Sequence, residues 1–192
     1  MPDQAALFAD PRHGSGGKVR IRLKTGVIGA ATFAGPGDCY RLRLERRLPD
    51  DFQGTVGFCW MNPSCAGAHW DDPTVAKGWR YATAWGFGRM LVVNSYAYCR
   101  TDQTMLHEIA DPVGPGNDDA ILSAALECDL FVMGYGTPRL PELRARGPAV
   151  ARMLRAAGIP LHVHALSRDG VPIHPRMHPE RVPPVLWEGP DA

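Results

Sequence analysis

The chain has 192 residues, of which 45% are hydrophobic and 21% charged, with a net charge of +1. This is the composition of one soluble globular domain with a sizeable core, and no apolar run reaches the length of a membrane span. The five cysteines are scattered without a C-x-x-C pair, so neither a disulfide framework nor a zinc or iron–sulfur site is indicated, and no metal or other cofactor is expected.

Charge is unevenly spread. Residues 1–50 hold nine Lys/Arg against five Asp/Glu, and residues 51–140 hold five against ten. A basic face built from the two ends of the chain is left open by this pattern. The opening Met1-Pro2-Asp3-Gln4 lacks the basic and apolar regions of a signal peptide, so a cytoplasmic location is the expectation.

Residues 1–17 have no periodicity and read as a flexible arm. Val19, Ile21 and Leu23 then alternate with Arg20, Arg22 and Lys24, and Thr25-Gly26 suits a turn before Val27-Ile28. This predicts a β-hairpin over 18–34. After the turn Gly35-Pro36-Gly37-Asp38, a second alternation sets Tyr40, Leu42 and Leu44 against Arg41, Arg43 and Glu45. These arginines read as a solvated strand face, or else as phosphate contacts.

The apolar run Val56–Met61 stops at Asn62-Pro63-Ser64 and reads as a buried strand. Pro63 biases Asn62 away from the helical region, so Asn62 and Ser64 fall at the strand's carboxyl end, where open α/β sheets bind ligands. A polar and aromatic loop follows. Asp71 or Asp72 caps a helix that Pro73 can begin, with Val75, Trp79 and Ala82 on one face and Gly86 as the stop.

Leu91–Val93 is a second strand, again ending in Asn, Asn94, before the loop Ser95-Tyr96-Ala97-Tyr98. A short helical stretch over 103–109 follows, and Asn117 is the expected cap of a helix over 118–127. Leu130–Met133 and Leu161–Ala165 are the third and fourth strands, with a helical pattern over 148–157 between them. His162 and His164 share a face of the fourth strand, which without a third ligand reads as packing. The tail 181–192 is rich in proline and expected to be irregular. Strands alternating with helices predict one α/β domain over 18–180, a three-layer α/β/α sandwich with a mostly parallel central sheet and an N-terminal hairpin added.

There is no P-loop, no G-x-G-x-x-G, no G-x-S-x-G and no H-E-x-x-H. What remains is polar side chains at strand ends: Asn62, Ser64, Asn94 and His174. A carboxamide can offer a donor and an acceptor to the edge of a base, and a histidine can stabilise charge on a leaving group. The plain alternative for each asparagine is turn formation.

The order of several motifs goes further. Tyr40-Arg-Leu-Arg-Leu44, Met61-Asn-Pro-Ser64, Asp71-Asp-Pro-Thr74, Trp85-Gly-Phe-Gly88, Val93-Asn94, Asp111-Pro-Val-Gly-Pro115 and Gly170-Val-Pro-Ile-His-Pro175 resemble domain-of-unknown-function family 1643, a bacterial and phage family, over roughly residues 30–180. More distantly, the layout resembles the uracil-DNA glycosylase superfamily. Met61-Asn-Pro-Ser64 stands where that superfamily has a water-positioning motif, Asn94 where it has a base reader, and His174-Pro175 where it has a final His-Pro-Ser. Arg176 replaces that last serine, and Ser64 replaces a Gly or Tyr.

The resemblance implies a DNA glycosylase-like hydrolase that cleaves the N-glycosidic bond of a modified or deaminated base, with DNA as partner, single-stranded or with a flipped base. The protein is then expected to act as a monomer, away from membranes. Asn62 would position water, helped by Asp71 or Asp72, and His174 would support the departing base. Asn94, Ser64 and Arg176 would bind substrate, and Trp70, Tyr96 or Trp79 would stack on the base. Helix capping is the other reading for the two aspartates, and core packing for Trp79. Two alternatives stand beside this one: a non-catalytic nucleotide-binding module, and a hydrolase of a free nucleoside or nucleotide.

Overall fold

A computed structural model describes residues 20–48 and 52–191; the expected arm, 1–17, lies outside them. The elements in chain order are β1 (Ile21–Arg22), β2 (Ile28–Ala34), β3 (Tyr40–Arg47), β4 (Thr55–Trp60), β5 (Trp70–Asp71), α1 (Pro73–Ala84), β6 (Arg89–Asn94), α2 (Asn117–Leu126), β7 (Leu130–Met133), α3 (Arg146–Ala156), β8 (Leu161–Val163) and β9 (Val185–Leu186).

The apolar runs assemble into one mixed seven-stranded sheet of order β2-β3-β6-β4-β7-β8-β9. Its centre, β6-β4-β7-β8, is parallel, and β2, β3 and β9 join antiparallel at the two sides. Strand β4 is buried along its whole length, as a strand covered on both faces must be. Alternate residues face opposite ways. Phe58, Trp60, Val92 and Val132 pack on Val75, Tyr81 and Ala82 of α1. Cys59, Leu91, Val93 and Phe131 pack on Ile121 of α2 and on Val150 and Leu154 of α3. Gly57 leaves room for a ring, since a Cβ there would lie 2.5 Å from Phe131.

From β4 the chain builds β6 on one side and then β7 on the other. That reversal opens a crevice at the carboxyl ends of the parallel strands. Among the described residues, no helix is long and apolar enough to cross a membrane.

Four expectations are corrected. The hairpin is not within 18–34: β2 pairs with β3 around the 35–38 turn, where Gly35 and Gly37 take φ of 78° and 62°. β1 instead pairs with β5 in a separate two-stranded sheet, because the 61–72 loop folds back over the hairpin. The approach is close enough that a Cβ on Gly29 would come within 2.1 Å of the Ala68 carbonyl oxygen.

The alternation in β3 is broken. Thr32 lies opposite Arg43 and Phe33 opposite Arg41, so Leu42 is an extra residue, a β-bulge. The bulge turns Arg41 onto the face of Leu44 and Arg46, and all three are buried while Arg43 is not. Arg43 pairs with Glu127 on the other face.

Asn117 is not the cap of α2. Gly116 holds that place, and the Asn117 amide donates to the carbonyls of Asn94 and Ser95 at 3.0 and 3.1 Å. The tail is not wholly irregular, since β9 pairs with β8 and Trp187 enters the core.

Candidate functional site

A cleft of about 990 Å³ opens at the carboxyl ends of β4, β6 and β7. Asn62 and Ser64 enter it just past β4, Asn94 from the end of β6, and Gly136 from just past β7. Asp72 enters from the start of α1, and His174 from the loop after β8.

The Asn62 amide nitrogen donates to the carbonyls of Pro63 and Arg100, at 3.0 and 2.6 Å. This ties the loops after β4 and β6 together and leaves the side-chain oxygen for a ligand. Ser64 and Thr101 share a hydroxyl–hydroxyl bond of 3.0 Å at the rim.

Asn94 is 1% exposed. Its side-chain oxygen accepts from Arg41 Nη2 at 3.0 Å, while Arg41 Nη1 donates to the Ala66 carbonyl at 2.9 Å. The amide nitrogen is the end of Asn94 left without a protein partner. Burial lowers the Arg41 pKa from its ordinary value.

Asp72 is the aspartate that caps α1. One carboxylate oxygen accepts from the Thr74 and Val75 N–H groups at 2.8 and 2.9 Å, which satisfies two otherwise orphaned donors of the first turn. The second oxygen is left for the cleft.

His174 is held neutral. Burial, then the positive charge of Arg176, pushes its pKa down to about 4, with Asp72 opposing them. Its Nδ1 accepts a long bond of 3.4 Å from the Arg176 N–H, which assigns the ring proton to Nε2. The loop behind it is anchored by the Tyr81 hydroxyl, shared between the carbonyls of Pro175 and His178 at 2.6 and 2.8 Å.

Asn62, Ser64, Asp72, Asn94, His174 and Arg176 therefore come together. Asp71, Trp70 and Tyr96 do not. Asp71 is buried against Arg46. Trp70 lies under the Arg22 guanidinium, 5.6 Å from its ring centre. The Tyr96 hydroxyl donates to the Leu143 carbonyl at 3.0 Å within a separate apolar cluster. Trp79, on α1, is half-buried and packs against the core cluster, with Lys24 Nζ 4.4 Å from its ring centre.

Of the cleft's other walls, sequence reasoning favoured a solvated strand face over phosphate contact for Arg41, and missed Arg100 and Arg139, with Trp60 and Tyr135. Arg100 and Arg139 were legible to the extent that each falls a few residues beyond a strand end. Together with Arg176, four arginines face the single carboxylate of Asp72, a field that favours anions. Three buried N–H groups in this lining, on Arg41 Nε, Arg100 Nε and Trp60 Nε1, have no partner.

His164 lies outside the cleft, stacked among Phe58, Tyr81, Trp85 and His178. Burial, with His178 next, pushes its pKa down to about 3. Among the described residues, no group of three His, Cys, Asp or Glu is placed to hold a metal ion.

No curated protein and no solved structure matches the chain. The family described as "Protein of unknown function (DUF1643)" matches residues 41–176, a span that begins at Arg41, ends at Arg176 and contains every residue lining the cleft. The chain belongs to the DUF1643 family.

Proposed function

We propose that the protein hydrolyses the N-glycosidic bond of a modified or deaminated base in DNA, within a three-layer fold of the uracil-DNA glycosylase kind. The observation that carries this reading is the convergence of Asn62, Asp72, Asn94 and His174 on one arginine-lined cleft from four separate segments of the chain. An unstacked nucleotide enters the cleft, and the arginines take its phosphates. Water sits between the Asn62 side-chain oxygen and the free oxygen of Asp72. It attacks C1′ as the C1′–N bond breaks, the electron pair leaves with the base, and the water proton passes to Asp72. The His174 Nε2–H donates to the developing base anion, a role that needs the neutral imidazole. Asn94 donates to the base edge from its amide nitrogen.

The test is a panel of oligonucleotides, each with one modified or deaminated base, assayed for abasic sites. Base release by the protein and its loss in Asp72→Ser are expected. Failure to release any base, with tight binding retained, makes the protein a binding module.

The cleft volume also suits a free nucleotide, which favours a nucleotide hydrolase as the second reading. Binding to oligonucleotides that falls steeply with salt separates the DNA enzyme from it.

A further inference from the structure

Arg22 and Lys24 stand two residues apart, and each lies over an indole. The Arg22 guanidinium carbon is 5.6 Å from the Trp70 ring centre, and Lys24 Nζ is 4.4 Å from that of Trp79. Both cations are exposed, and both indoles are only half-buried. Among the described residues, neither cation takes part in an ion pair. The patch spans two elements: Arg22 faces Trp70 in the β1–β5 ladder, and Trp79 belongs to α1.

Strand alternation places this ribbon beside the cleft. Trp70 and Asp71 form β5, and Asp72 continues it in extended backbone, at φ −94° and ψ 170°. Asp71 is turned inward to Arg46, so Trp70 and Asp72 share the other face. Two extended residues span about 7 Å. Asp72 lines the cleft, so a strand leaving the cleft over this bank meets the Trp70–Arg22 pair next.

We infer that the β1–β5 ribbon is a second contact for single-stranded nucleic acid, gripping the strand beside the nucleotide held in the cleft. The inference rests on the reading of the cleft as a DNA site. Arg22 and Lys24 take phosphates, and the two indoles offer stacking faces, which accept any base because every base has a π-face. A carboxylate surface on a protein partner would satisfy the cations and leave the rings unused, whereas nucleic acid uses both.

The experiment measures binding of an oligothymidylate of about a dozen nucleotides to the full chain as salt is raised from about 50 to 200 mM. The double variant Arg22→Gln, Lys24→Gln should bind at least about tenfold more weakly at the low end, and the slope of log K on log salt should lessen by about 1.4, the share of two single-strand phosphates. The control Arg152→Gln, Arg155→Gln removes two exposed cations from α3 and should leave the slope unchanged. If the first variant fails to fold, the wild-type protein still decides, because acetylation of Lys24 by an activated ester should slow severalfold when the strand is bound. A folded double variant with wild-type affinity and slope, an equal loss in the α3 control, or a Lys24 unprotected by the bound strand overturns the inference and leaves the reading of the cleft standing. A wild-type protein that binds no strand overturns the DNA reading, and the inference with it.

Discussion

Arg46 grips a single oxygen of Asp71 from two nitrogens, Nε at 2.9 Å and Nη2 at 2.8 Å, with both side chains shut away from solvent. The same guanidinium reaches the carbonyls of Glu45, Gly67 and Trp70 at 2.7, 2.7 and 3.1 Å. This binds the 61–72 loop to β3. Removing one member of such a pair leaves the other charge buried alone, so Asp71→Ala should cost about 3–5 kcal/mol in denaturant melts. Base release per folded molecule should persist in the milder Asp71→Asn. An Asp71→Asn protein of normal stability that has lost turnover would return Asp71 to the chemistry.

Asp72 is expected to separate from its neighbour in the opposite sense. Serine caps helices as well as aspartate does, so Asp72→Ser should leave stability within about 1 kcal/mol. On the proposed mechanism it removes the carboxylate that would take the water proton, and single-turnover base release should fall about 10²–10⁴-fold. A variant that melts early and turns over normally would make Asp72 a cap and nothing more.

The two asparagines should part company in kinetics. Asn94→Ala deprives the base edge of its donor and should cost about 1–3 kcal/mol of base discrimination. Asn62→Ala should slow cleavage with little change in binding, since a water positioner acts mainly in the transition state. Loss of binding alone in both variants would favour the binding module.

Acid should weaken the fold through its two buried histidines. Unfolded histidine takes up a proton near pH 6.5, whereas folded His174 does so at about 4 and His164 at about 3. Below pH 6.5 the unfolded chain binds more protons, so stability falls as pH drops from there toward 4, at about 1.4 kcal/mol per unit for each group fully engaged. His164→Phe keeps a ring among Phe58, Tyr81 and Trp85 and should flatten this slope. Melting temperatures of both proteins at pH 7.5 and pH 5 are the check, and an unchanged slope assigns the acid loss elsewhere.

The parallel centre of the sheet was legible because β4, β6, β7 and β8 are short apolar runs closed by turn residues, and such runs have one comfortable place, between two layers. Asn62 and Asn94 were legible for the same reason: one follows β4 and the other ends β6, and parallel strands bring their ends to one edge, which the loop carrying His174 also reaches. Arg41 was not legible. Its burial depends on the extra residue Leu42, and in sequence the stretch Tyr40–Glu45 alternates without a break. Nor does a pair such as Asp71-Asp72 declare which carboxylate points where, since adjacent residues on a strand end diverge and only the position of Arg46 settles it. Tyr96 looked like a stacking ring because it follows Asn94, but its hydroxyl is claimed by the Leu143 carbonyl, forty-seven residues away.

Helix α1 carries Asp72 at its first turn and Tyr81 further along, and Tyr81 grips the carbonyls on both sides of the short turn that follows His174. In mechanical terms the helix is a brace with Asp72 at one end and a clamp on the support of His174 further along. The spacing between Asp72 and His174 is thus set by a rod rather than by two independent loops. The arginines Arg100 and Arg139 come instead from the loops after β6 and β7, so this rod sets the places of Asp72 and His174 without fixing theirs.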